Sequence, residues 1–146
     1  MKYLLTKLFL ITFVLVSCKK NLSQEEKILS IIQDSLQVKD DYEKIYILQS
    51  AGCYVCNVKF AEYLAQKQFS NKELVIVSTH NADGFISKTP LDNSSNVIVD
   101  RKSLFFRNAI LNHSAVIYFE NQKIDTLVNL SDARVFYSNM NYIQNR

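Results

Sequence analysis

Apolar positions fall into blocks along this chain, and their spacing changes from block to block. Leu8 to Val16 is an apolar run interrupted only by Thr12. Ile28, Leu29, Ile32 and Leu36 recur at helical intervals, which predicts an amphipathic helix over 24–38. Ser23 with Glu26 three residues on is a capping box that opens it. Ile45-Tyr46-Ile47-Leu48 is a continuous apolar run. Such a run fits a strand covered on both faces, as in a parallel sheet. Ser50-Ala51-Gly52 ends that strand, and Val58, Ala61, Leu64 and Ala65 then trace one helical face up to Gln68. Leu74-Val75-Ile76-Val77 is a second buried strand. Strand, helix and strand at this spacing predict a βαβ unit.

The second half is more broken. Residues 79–96 carry Asn81, Asp83, Gly84, Pro90 and the run Asn93-Ser94-Ser95-Asn96, and read as a loop. Val97 to Val99 is a short strand and Lys102 to Leu111 a helix. Ala115 to Phe119 is an apolar strand, Asn121-Gln122 a turn, and Lys123 to Asn129 a final antiparallel strand. Ser131 is expected to cap a last helix with Val135, Phe136, Met140 and Ile143 on one stripe.

Composition bounds the picture. The chain has 17 basic and 14 acidic side chains, two glycines and one proline. No basic patch argues for nucleic acid, and no long flexible linker is present. The chain has three cysteines: Cys18, Cys53 and Cys56. Lys2 and Lys7, then the apolar run, then small residues make a secretory signal. The run is well short of the ~20 apolar residues that span a bilayer. Leu15-Val16-Ser17-Cys18 resembles the lipobox of bacterial lipoproteins. The resemblance implies cleavage of residues 1–17 and acylation of Cys18, with 18–22 a short tether and 23–146 the domain. Two or three acyl chains hold a protein stably on a membrane. Lys19, rather than aspartate, leans the implied location to the outer membrane, facing the periplasm.

Cys53-Tyr54-Val55-Cys56 stands where a helix should begin. A thiolate is the nucleophile of disulfide exchange, and a helix N-terminus favours it. Cys53 is expected near solvent as the attacking thiol, with Cys56 as the resolving thiol. Lys59 would add positive charge nearby. A structural disulfide is the competing reading for an exported protein. Zinc would need two more ligands, and only His80 and His113 are at hand. The pattern calls for no cofactor and no metal.

The strand ending at Ser50, the Cys53–Cys56 pair, the helix behind it and the segment from Ser114 to Lys123 together resemble the thioredoxin-like superfamily, from about residue 42 onward. The strand Val97–Val99 and the helix after it resemble its membrane-anchored thiol-disulfide oxidoreductases. The resemblance implies an α/β fold with a central mixed sheet flanked by helices. It also implies thiol–disulfide exchange with protein partners in the envelope. Two family features are absent. Ser114 stands where the family has a cis-proline facing the cysteines, and Ile47 where it has a buried acid. A non-proline cis bond costs about 2.5–4 kcal/mol, so Ser114 is expected to be trans. In the implied fold His113 faces the cysteines, where its imidazole could tune a thiolate or carry its proton. Ser114 and Tyr54 are the further candidates for redox tuning or partner docking. A non-catalytic binding module with a structural disulfide is the alternative to exchange.

Overall fold

The computed structural model of the chain describes residues 22–38, 41–79, 91 and 96–146. The leader, Cys18 and residues 19–21 of the tether lie outside them, as do His80, Pro90 and most of the segment 79–96. No helix among the described residues is long and apolar enough to cross a membrane.

The described chain runs α1 (Gln24–Ser30), a π turn (Ile31–Ser35), β1 (Lys44–Gln49), α2 (Tyr54–Gln66), β2 (Glu73–Ser78), β3 (Val97–Val99), α3 (Leu104–Arg107), β4 (Ala115–Glu120), β5 (Lys123–Asn129) and α4 (Ala133–Asn145). The strands form one mixed five-stranded sheet in the order β3-β2-β1-β4-β5. β1 pairs parallel with β2, and β2 with β3. β4 pairs antiparallel with β1 and with β5. β1 is thus central, as its unbroken apolar run predicts.

Alternation along the strands feeds two cores. Tyr46, Leu48, Val75, Val77 and Val116 face α2 and α4, meeting Phe60, Leu64, Phe136 and Met140. Ile45, Ile47, Leu74, Ile76 and Ile117 face α1 and α3, meeting Ile28, Ile32 and Phe105. β1 and β2 bury both faces because each face has a helical layer to cover it.

Local chemistry sets the ends. The Ser23–Glu26 capping box forms in both directions. The helix expected to run uninterrupted to 38 changes to a π turn at Ile31, and Gln37 at φ 56° stops it. Apolar spacing does not distinguish a π turn from α-helix. The helix expected over 102–111 is one turn only. Ala109 takes a positive φ just after it, which brings Leu111 back onto the core beside Phe105. Asp132, not Ser131, caps α4, with its carboxylate accepting from Arg134 N–H at 2.8 Å. Val135 leaves the expected stripe and is exposed, while Phe136, Met140 and Ile143 are buried. Asn121 and Gln122 both take positive φ and close the β4–β5 hairpin, as two-residue hairpin turns require.

Candidate functional site

β1 ends at the sheet centre, and after four intervening residues the chain enters α2. Cys53 is the N-cap of that helix, in extended conformation. Cys56 lies in its first turn. The two sulfurs are bonded at 2.09 Å, with the Cα atoms 5.2 Å apart. Cys56 N–H donates to Cys53 Sγ at 3.3 Å. The sulfur therefore fills the place that a serine or aspartate oxygen fills at an ordinary N-cap. Cys53 is half-buried and Cys56 fully buried. Between them Tyr54 and Val55 are 73% and 61% exposed. An incoming thiolate therefore reaches Cys53 Sγ more readily than Cys56 Sγ. Once reduced, a thiolate on Cys53 sits at the positive end of the α2 dipole.

A buried polar frame holds this turn. The Ser114 hydroxyl donates to Asn57 Oδ1 at 2.7 Å and accepts from Gln49 N–H at 3.0 Å. Asn57 Nδ2 donates to Ala51 O at 2.8 Å. The Gln49 side chain reaches Leu111 O at 2.9 Å. Gln49, Asn57 and Ser114 are all buried. The β1–β4 ladder ends at the Ile47–Ala115 pair, so the Ser114 hydroxyl takes an N–H that the ladder no longer serves. No peptide bond among the described residues is cis, and Ser114 is trans as expected.

Gly52 makes the close approach possible. It sits at φ +84°, and a Cβ there would meet Asn112 O and His113 Cβ, each at 3.2 Å. The His113 loop therefore packs directly on the residue before Cys53. His113 Nε2 is buried and has no hydrogen-bond partner. Lys59 is on the solvent side of α2, paired with Glu62 at 3.0 Å. Ile47 is buried among apolar residues of the α1–α3 core. The structure thus brings Cys53, Cys56, His113 and Ser114 to one end of the sheet, with Tyr54 at its surface. Among the described residues no three His, Cys, Asp or Glu side chains gather in a metal-binding group.

Asn57 and Gln49 were not singled out from the sequence. Asn57 had a legible signal: it precedes Phe60, Ala61 and Leu64 by three, four and seven residues. A polar side chain on the buried stripe of a helix needs a buried partner. Gln49 had none, because a strand's last residue is as often exposed as covered.

These features define a mixed α/β protein whose disulfide caps the helix leaving its central strand. Compared with protein-family models, with curated proteins and with solved structures, the chain matches none of them.

Proposed function

We propose that this chain is a thioredoxin-like thiol–disulfide exchange protein, held on the bacterial envelope by acyl chains on Cys18. The observation that carries the chemistry is the pairing of unequal sulfurs at a helix N-terminus, with Cys53 reachable and Cys56 buried. In the reducing direction, the Cys53 thiolate attacks one sulfur of a partner disulfide, and the partner's other sulfur leaves as a thiolate. The Cys56 thiolate then attacks Cys53 Sγ and displaces the second partner thiolate. The partner gains two electrons, and Cys53–Cys56 becomes the disulfide. The oxidising direction is the reverse. The partner class is a protein thiol or disulfide of the envelope. His113, packed against Gly52, is the side chain we assign to tuning the Cys53 thiolate.

A second reading is a binding module with a structural disulfide. The latch from Ser114 through Asn57 to Ala51 favours it, because the latch braces the turn that exchange must use. A redox titration separates the two. An exchanging pair titrates between about −120 and −270 mV, and a structural disulfide below about −300 mV. A Cys56→Ala variant should trap partners as mixed disulfides on Cys53. A potential below −300 mV with no trapped partner would sink the exchange reading. The anchor is tested by labelled fatty acid, which should enter the wild-type chain and not a Cys18→Ala variant.

A further inference from the structure

The first turn of α1 lies at the disulfide end of the sheet. Gln24 Nε2 donates to Ile110 O at 2.9 Å. Ile110 N–H reaches back to Phe105 O at 3.0 Å, which sets it against α3. α3 stands beside the disulfide turn, since Phe106 and Ala51 wall the same small cavity. Three residues beyond Ile110, the His113 loop packs on Gly52, next to Cys53. From there α1 runs away from the disulfide. Its later residues Leu29 and Ile32 line a cleft with Ile45, Phe119 and Gln122, at the opposite end of the sheet. The chain that precedes the domain is therefore rooted at the same end as the two sulfurs.

The length of that preceding chain decides what this placement means. Ser23 caps α1 in both directions, so the helix begins firmly there. Ser23 stands five residues after Cys18, so the two are at most about 18 Å apart. A domain of this length is roughly 35 Å across. With Cys18 held in lipid, the domain cannot turn its disulfide end outward, because Ser23 would then stand farther from the surface than the tether reaches. The same end is apolar at its surface. Leu22, beside the capping serine, is 43% exposed, and Phe106 on α3 is 40% exposed. Tyr54 and Val55, between the cysteines, are more exposed still. Aromatic and apolar side chains of this kind suit the zone where protein meets lipid headgroups.

We propose that the disulfide end faces the membrane, and that its partner is a protein presenting its reacting cysteine at the lipid surface. The proposal rests on the anchor and exchange readings above. A partner free in solution has to enter between domain and lipid. One held in the same membrane meets Cys53 at a raised effective concentration.

The test uses the reduced, full-length, lipidated Cys56→Ala protein in liposomes of phosphatidylethanolamine and phosphatidylglycerol. The probes are acylated peptides whose single cysteine carries nitrothiobenzoate through a disulfide. The Cys53 thiolate attacks the peptide sulfur, the peptide–nitrothiobenzoate bond breaks, and nitrothiobenzoate leaves as a coloured thiolate. The product is a Cys53–peptide disulfide. In the low probe the cysteine adjoins the acyl group, and in the raised probe a helical spacer lifts it by about 30 Å. The low probe should be trapped about tenfold faster than the raised one. A long Gly-Ser insert after Lys20 frees the domain to turn, and there the two rates should agree within about twofold. Each ratio is taken within one protein, so the intrinsic reactivity of Cys53 cancels. Equal rates on the native tether, or a faster raised probe, overturn the orientation and leave the exchange reading standing. So does a preference that the long-tether variant keeps, and so does trapping of the peptide only when it lacks its acyl group. Trapping of no peptide, acylated or free, overturns the exchange reading and the proposal together. A protein that washes off the liposomes overturns the anchor reading and the proposal with it.

Discussion

The Ser114 hydroxyl serves two elements at once. It accepts from Gln49 at the end of β1 and donates to Asn57 in α2. Removing it leaves a buried N–H and a buried amide oxygen without partners, and each such loss costs about 1–3 kcal/mol. Ser114→Ala should therefore lower the stability of the oxidised protein by about 2–4 kcal/mol, read from the denaturation midpoint. A loss under about 0.5 kcal/mol, the scale of an ordinary surface change, would show that the latch is not structural. Gly52 is the other residue whose identity the site dictates. An alanine there combines a positive φ with two 3.2 Å contacts on the His113 loop.

At the scale of the element, α2 is the piece that joins fold to chemistry. Its N-cap is a sulfur, so the atom we propose to react also satisfies a helix end. The two roles can be separated by substitution. In a background with Cys56→Ser, Cys53→Ser keeps an oxygen at the cap and Cys53→Ala does not. The serine protein should be more stable by about 1 kcal/mol, measured by urea unfolding. Equal stabilities would mean that the capping bond is incidental to the disulfide. α3 shows the opposite economy. It is one turn long, and Asp100 holds its start. The serine at its N-cap position makes no capping bond.

At the scale of the whole molecule, Lys44, Lys67 and Glu73 form a partly buried charge cluster at the end of the sheet away from the disulfide. Glu73, at the start of β2, accepts from the Tyr46 hydroxyl at 2.7 Å and from Ser70 N–H at 3.0 Å, and pairs with Lys67 at 3.1 Å. Burial raises the Glu73 carboxyl, but the Ser70, Tyr46 and Lys67 bonds outweigh it and leave it below the ordinary value. An acid held below its unfolded value stabilises the fold above that value, near 4.3. The contribution is lost as pH falls through the lower folded value. Stability of the wild-type protein should therefore drop more steeply between about pH 5 and pH 3 than that of Glu73→Gln. Parallel acid profiles in chemical denaturation would refute this. The same burial, with the Glu73 bond, pushes the Tyr46 hydroxyl far above its usual range. Tyr46 thus remains a neutral donor across that window.

Local pattern alone decided most of the fold. Unbroken apolar runs named β1 and β2 as strands covered on both faces, and Ser23 with Glu26 marked the start of α1. The Cys-x-x-Cys spacing placed a disulfide at the entry to α2. Each of these depends on neighbours within about four residues, so the chain carries them in plain order. The π turn, the single turn of α3 and the Asp132 cap needed the structure, because competing local signals there are resolved by what the core has room for. The frame around the cysteines needed it most. Gln49 ends β1, Asn57 lies in α2 and Ser114 stands just before β4. Their meeting is a product of strand order and register, which no local spacing encodes. The sequence thus determined where the paired sulfurs stand along the chain. The tertiary structure decided what braces them, because strand order and register alone bring Gln49, Asn57 and Ser114 together.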